Sequence, residues 1–183
     1  MLLISASPNR DGLTAACATA AAEGVTAAGG KAETLFLNEA GVGLCRACER
    51  GWGPCREEHR CKTDDGFGAV HARVGQSDAY GLITPVYWGE MSESAKALCD
   101  RLRRCEATRD RGQSMLSGKP VLAVAAAGGS GNGIPTCLLA MDRWIQHVQA
   151  RTFDLIGVNR WSRDYKLVAI REAARVMATG GGP

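Results

Sequence analysis

Lys119-Pro120-Val121-Leu122-Ala123-Val124-Ala125-Ala126-Ala127-Gly128-Gly129-Ser130-Gly131 is an unbroken apolar run, Val121 to Ala127, set between a proline and a glycine-rich turn. A run with no polar alternation reads as a strand covered on both faces, the situation inside a parallel sheet. Helices must supply that cover, and helical patterns flank the run on each side. Pro135 to Gln149 follows it as a helix. Before it, Met91, Ala95, Leu98, Leu102 and Cys105 recur at steps of four and three, while Glu93, Lys96, Asp100, Arg103 and Arg104 fall off that stripe. Further out the alternation continues. Asp78 to Thr84 reads as a strand stopped by Pro85, preceded by a short helix opened by Asp64-Asp65 and running to about Val74. Glu33 to Asn38 is another strand, and the apolar start of the chain is the first, leading through a Ser-Pro turn into an Ala-rich helix, Thr14 to Ala28, that ends at Gly29-Gly30. Thr152 to Val158 and Arg163 to Ala178 complete the series as strand and helix, with Gly180 to Pro183 as a frayed tail. Strands alternating with helices predict one three-layer α/β domain over residues 1–183: a five-stranded parallel sheet of order 2-1-3-4-5 with helices on both faces.

The bulk numbers agree with a globular domain of this length. The 183 residues are 45% hydrophobic and 22% charged, too apolar for disorder, and no apolar run approaches a membrane span. The 22 basic and 19 acidic residues leave +3, which calls for neither nucleic acid nor a membrane surface as partner. The opening Met1-Leu-Leu-Ile-Ser5-Ala-Ser7-Pro8 has no basic segment and turns polar at once, so it is not a secretory signal, and a cytoplasmic protein with reduced thiols is expected. Of the eight cysteines, four lie between Cys45 and Cys61, a 17-residue window in which the average density would put only about 0.7. The segment 41–63 around them has no periodicity and reads as an inserted Cys-rich loop.

Three irregular loops follow strands one, three and four, the carboxyl edge where doubly wound sheets bind ligands. The first, Ser5-Ala-Ser7-Pro8-Asn9-Arg10-Asp11-Gly12-Leu13-Thr14, offers hydroxyls, a glycine and the start of a helix, a cradle for phosphate; the plain alternative is a capped turn. Neither Gly-x-Gly-x-x-Gly nor the Walker pattern occurs. The second, Thr84 to Ser92, places Tyr87, Trp88 and Gly89 where a flat ring could slide against backbone, or where the aromatics merely cover the sheet edge. The third is Gly128-Gly129-Ser130-Gly131. Cys45, Cys48, Cys55 and Cys61, in the pattern C-x2-C-x6-C-x5-C, could hold a [4Fe-4S] cluster or a tetrahedral zinc, or remain metal-free thiols. Arg46, Arg50, Arg56, Arg60 and Lys62 would offset the charge of such a site, and His59 reads as a solvated loop residue because four thiols complete the ligand set. Cys17, Cys99, Cys105 and Cys137 read as inert core residues. The basic run Arg101, Arg103, Arg104, Arg109 and Arg111 could meet a nicotinamide dinucleotide phosphate or an acidic redox partner, but reads first as a solvated face.

These residues resemble the flavodoxin-like NADPH-dependent FMN reductases and, within them, the iron-sulfur flavoproteins. Ser7-Pro8 through Gly12-x-Thr14 is similar to their phosphate loop, Pro85-Val86-Tyr87-Trp88-Gly89 to their isoalloxazine loop, and Lys96 with Asp100-Arg101 to the lysine and Asp-Arg pair of the next helix. The third loop resembles a second flavin-contacting turn, and the match spans residues 1–105. The resemblance implies FMN held by Ser5, Ser7, Asn9, Gly12, Leu13 and Thr14, by Pro85, Val86, Tyr87, Trp88 and Gly89, and by Gly128, Gly129 and Ser130. It implies a [4Fe-4S] cluster, with zinc or no metal as alternatives, on Cys45, Cys48, Cys55 and Cys61. The family spacing is C-x2-C-x2-C-x4–7-C. Cys45, Cys48 and Cys61 match it directly, whereas Gly51 stands where the third ligand belongs and Cys55 lies four residues later. The activity implied is an oxidoreductase without catalytic side chains, FMN passing electrons from NAD(P)H or a ferredoxin-type donor to an acceptor. Small-molecule or protein redox partners and a homodimer or homotetramer go with it. Two other readings are a non-catalytic flavin electron carrier and a zinc-stabilised module with a vestigial flavin site.

Overall fold

A computed structural model describes residues 1–181 of the chain; of the expected tail, residues 182 and 183 lie outside the described residues. The strands are β1 (Leu2–Ser5), β2 (Glu33–Phe36), β3 (Tyr80–Tyr87), β4 (Glu90–Met91), β5 (Pro120–Ala127) and β6 (Arg151–Asn159). The helices are α1 (Leu13–Ala27), a short irregular α2 (Cys48–Gly51), α3 (Phe67–Gly75), α4 (Glu93–Glu106), α5 (Ile134–His147) and α6 (Arg163–Ala178). The sheet runs β2-β1-β3-β5-β6, all parallel, which is the expected 2-1-3-4-5 order; the sixth strand, β4, pairs antiparallel with β3 at one end.

β5 is buried along its length beyond Pro120, and its side chains divide strictly by parity. Val121, Ala123 and Ala125 join the core under α3, α4 and α5, while Leu122, Val124 and Ala126 join the core under α1 and α6. That division is the pleat alternation of a strand sandwiched between two helical layers. The helical stripe from Met91 to Cys105 is buried throughout, as its spacing requires. Among the described residues no helix is long and apolar enough to cross a membrane.

Several boundaries shift from the sequence reading by one to three residues, and four of the shifts have a clear physical reason. Pro85 does not stop β3. The Ile83 carbonyl accepts from Ala6 N (2.9 Å), so residue 83, and by the strand's two-residue period residue 85, turns its backbone groups toward β1. β1 has already left the sheet after Ser5, and the missing N–H of Pro85 deprives no partner. β2 ends at Phe36, where its register partner Ser5 ends β1, and Leu37–Glu39 turns as a single 3-10 helix. α3 starts at Phe67 because the Asp65 carboxylate accepts from Phe67 N (3.0 Å), standing outside the helix to satisfy an end group. α5 ends at His147, and Gln149 takes the left-handed conformation that follows helix termini.

Candidate functional site

Ser5 closes β1 with its side chain fully buried, and its Oγ has no hydrogen-bond partner. The loop beyond it is braced by Ser7, whose Oγ accepts from Asn9 N (3.1 Å). Gly12 stands at the N-cap of the 15-residue α1 with no side-chain cap, the first turn carries no acidic residue, and Thr14 is buried in that turn. Free helix N–H groups and an unpartnered buried hydroxyl at the two ends of one loop are the materials of an anion site. Arg10 does not point into it. The guanidinium lies 4.0 Å from the Phe36 ring centroid and pairs with Glu39, so the anion would be held by backbone and hydroxyls. Leu13 is half-buried at the helix start and Asn9 is exposed.

The second loop is a two-residue hairpin. Val86 pairs with Met91 and Tyr87 with Glu90, and the turn residues Trp88 (φ 52°) and Gly89 (φ 83°) are both left-handed, the requirement of the turn that matches strand twist. Trp88 is fully exposed at the tip and Tyr87 about half. Hydroxyls that the sequence reading did not single out tie this hairpin to the other two loops. Ser92 N donates to Thr84 Oγ1 (3.0 Å), and Ser92 Oγ donates to the Ala6 carbonyl (2.9 Å) while accepting from Ala95 N (3.3 Å) to cap α4. On the other flank Thr136 Oγ1 donates to Gly89 O (2.8 Å), and Gly133 packs so closely that a Cβ there would stand 2.6 Å from Gly89 Cα. Gly128 and Gly129 have open space before them, and the Ser130 hydroxyl accepts from Asn132 N (3.4 Å). Ala6 and Pro8 of the first loop, Tyr87 of the hairpin and Ser94 of α4 line one open groove of about 410 Å3, together with Gly43 and Leu44. The third loop joins this arrangement through the hairpin. Only Ser92 carried a usable signal, a hydroxyl residue directly before a helical stripe.

The cysteine segment is pinched at its base. Gly66 N donates to Gly41 O (3.2 Å), and a Cβ on Gly66 would fall 1.5 Å from the Ala40 carbonyl oxygen, so the two strands of the neck meet only because residue 66 is glycine. Beyond the neck Cys45, Cys48, Cys55 and Cys61 line a single small hollow with about 20 Å3 of free space, room for one water molecule. The sequence reading brought these four together; it did not foresee that α4 supplies the opposite wall with Arg101, Arg104 and Cys105. Arg101 is 1% exposed. It donates to Asp65 Oδ2 (2.6 Å), Gly43 O (3.0 Å) and Cys61 Sγ (3.2 Å). Arg104 donates to Gly51 O and lies 4.8 Å from the Trp52 ring centroid. The reading of the basic run as a solvated face is therefore corrected for these two, which bind the loop; Arg109 pairs with buried Glu106 (3.0 Å), and Arg111 is exposed. His59 is likewise no solvated residue. Its Nδ1 lies 3.1 Å from the Cys105 carbonyl and 3.3 Å from Thr108 Oγ1, pinning the loop to the end of α4.

Electrostatics separate the thiols. Burial opposes ionisation of Cys61, but hydrogen bonds from Thr63 and the Arg101 guanidinium outweigh it and lower the pKa. Burial pushes Cys17 and Cys105 up to about 12 and Cys137 up to about 11, and it raises Cys99 further, which fits their reading as neutral core thiols. Cys105 differs from the other three in also facing the hollow. A single zinc would need its sulfurs about 3.8 Å apart, given Zn–S bonds near 2.3 Å in a tetrahedron. Among the described residues no three His, Cys, Asp or Glu side chains are arranged to hold one ion; the four cysteines share the wall of one small hollow.

The family model for NADPH-dependent FMN reductases matches residues 1–154. An iron-sulfur flavoprotein of Methanosarcina thermophila is 30% identical over 133 residues, 71% of this chain and 63% of that protein. A second, from Methanocaldococcus jannaschii, is 29% identical over 100 residues, 55% of this chain and 50% of that protein. The aligned part of the chain thus spans between half and two-thirds of the length of these relatives. An NAD(P)H:quinone oxidoreductase from Methanothermobacter marburgensis has the same fold, with a TM-score of 0.74 and 18% identity over 96% of this chain and 95% of that one.

Proposed function

The chain belongs to the NADPH-dependent FMN reductase family and has its flavodoxin-like fold, and from that premise we propose that it is an FMN-dependent oxidoreductase with an iron-sulfur cluster in the cysteine hollow. The observation that carries the FMN reading is that one loop has a buried, unpartnered Ser5 Oγ at its start and the uncapped N-terminus of α1 at its end, while its Ala6 and Pro8 line the groove. Ser5, Ser7, Thr14 and the backbone N–H groups from Gly12 onward hold the phosphate; Asn9 and Leu13 shape the loop. Pro85 to Gly89 and Gly128 to Ser130 flank the ring, and the hairpin keeps its shape through Thr136 and Ser92. Bound FMN would supply the hydride- and electron-accepting centre, and a cluster the single-electron steps. The chain's own part is to orient and to bias charge, so no acid-base pair is needed. Exposed Trp88 leaves one approach open for a donor, NAD(P)H or a ferredoxin-type protein, and for the acceptor.

Cys45, Cys48, Cys55 and Cys61 hold the cluster. Four cysteines around one hollow supply the thiolates that a cluster needs, and the names of both relatives point the same way. Arg101 and Arg104 offset its negative charge. The protein works in the cytoplasm as a homodimer or homotetramer.

Purification without oxygen followed by a visible spectrum and iron, sulfide, zinc and flavin analysis tests both halves. The expected result is FMN together with iron and acid-labile sulfide. In Cys55→Ser the iron falls while FMN still binds, because Cys55 does not line the groove. Zinc without sulfide overturns the cluster, and a protein that shows no flavin band near ~450 nm after FMN is added overturns the oxidoreductase.

A further inference from the structure

One side of α4 serves both candidate sites. Ser94 and Ala97 border the groove, and Arg101, Arg104 and Cys105, at helical steps of four and three further on, border the cysteine hollow. Arg101 is where the two meet. The guanidinium stacks 4.2 Å from the Phe67 ring centroid, and its two terminal nitrogens are shared among the Cys61 sulfur, the Asp65 carboxylate and the Gly43 carbonyl. Asp65 Oδ2 also accepts from Gly43 N (3.1 Å). The ion pair thus grips the two polar groups of residue 43 together, the N–H by the acid and the C=O by the base, and Gly43 is wall of the groove.

We propose that Arg101, paired with Asp65, is a positioning residue that couples occupation of the cysteine hollow to the shape of the flavin groove. The inference rests on the reading of the two sites given above. With the sulfurs ligated, Cys61 is fixed and the guanidinium sits in one arrangement, which fixes Gly43 and the neighbouring Leu44 against Tyr87 and Pro8. With the ligated group removed, Cys61 Sγ is free to move, the donors redistribute between Asp65 and Gly43, and the groove wall loosens. The fork serves the three acceptors from two separate nitrogens; an ammonium also has three donors, but on one compact centre, and cannot hold them in the same geometry.

The test measures FMN affinity by flavin fluorescence on the full chain in two forms, iron-loaded under anaerobic conditions and chelator-stripped, for the wild type, Arg101→Lys and Asp65→Asn. Loading should tighten wild-type FMN binding by about fivefold or more, the lower end of ordinary coupling between sites. In Arg101→Lys the ratio of the two affinities should collapse toward unity although both iron and FMN still bind. Asp65→Asn keeps the guanidinium and removes the charge that orients it, so it should reduce the ratio, and it supplies the decisive comparison should Arg101→Lys not fold. A wild-type ratio of unity, or a ratio preserved in the variants while their melting temperatures fall, overturns the coupling and leaves Arg101 as a loop anchor. Absence of FMN binding or of iron uptake by the wild type instead overturns the reading of the sites themselves, and the coupling with it.

Discussion

At the start of α4, Thr84, Ser92 and Ser94 knit the strand-end loops together with neutral hydroxyls that end on the Ala6 carbonyl; two turns on, Arg101 and Arg104 hold the cysteine segment with charge. The backbones differ in the same sense. The groove hairpin needs one non-glycine residue in the left-handed region, Trp88, whereas the cysteine segment needs Ala47, Glu49, Arg50 and His59 there. Each such residue costs on the order of 1 kcal/mol, and persists only where the surroundings impose it. Around the groove, strand register and hydrogen bonds of about 1 kcal/mol each impose it. In the cysteine segment few apolar groups are available, Val42, Cys55 and Cys61 among them, and side chains from α4 do most of the holding. The groove is therefore preformed, while the hollow depends on ionic contacts and on whatever fills it.

The strongest way to break this contrast is at the neck. Gly66→Ala forces a Cβ into the Ala40 carbonyl, and urea unfolding should register a loss near about 3 kcal/mol, the upper end for overpacking. Metal content should collapse while FMN binding survives; joint loss would mean that the two regions are one unit. Next in size, Ser5→Ala should weaken FMN by about 1–2 kcal/mol in equilibrium titration and keep or slightly raise apo-protein stability, because the buried hydroxyl it removes has no partner to lose. Ser7→Ala and Thr14→Ala should each act on the same scale, and unchanged affinity in the double variant would reduce the loop to a plain turn.

The third test sharpens the contrast by pH. Arg101, with the Phe67 and Gly43 N–H groups, holds Asp65 at about 2 against an ordinary 3.8. A depressed carboxylate stabilises the fold fully above its unfolded pKa and loses that contribution as pH falls through the folded value. Metal-free protein should accordingly keep its cysteine segment resistant to pepsin near pH 4 and yield progressively toward pH 2, with cleavage beginning between residues 41 and 66. First cuts in the hairpin would reverse the ranking of the two regions. The smallest effect on stability belongs to Trp88→Ala. The exposed indole should leave the apo-protein melting temperature unmoved and alter the bound-flavin spectrum, and the opposite result would make Trp88 a packing residue.

How far the sequence could be read follows the same divide. The apolar run of β5 gave away a sheet covered on both faces, and α6 begins and ends where its pattern does, because burial periodicity is local information. Pro85 misled because its cost depends on whether a neighbouring strand still runs alongside, a fact about β1 and not about residue 85. The four clustered thiols were legible from density alone. Arg101 and Arg104 were not: on a helix wheel they look like any charged flank, and only the return of the cysteine segment over α4 makes one of them a buried three-way donor. Cys105 shows the same limit, a core residue by its stripe that also faces the hollow.

The Gly41–Gly66 neck has a consequence for how such a chain can vary. Closing a loop costs conformational entropy that grows only with the logarithm of its length, so once the base is shut the number of residues above it matters little to the body below. Strand register, the Asp65 bond to Phe67 N at the start of α3 and the groove are all fixed at or below that hydrogen bond, apart from the reach of Gly43 and Leu44. The segment behaves as a cartridge: cysteines can shift by several positions, as Cys55 has relative to Gly51, or the whole insert can be exchanged for a short turn, without rewriting the sheet that carries it.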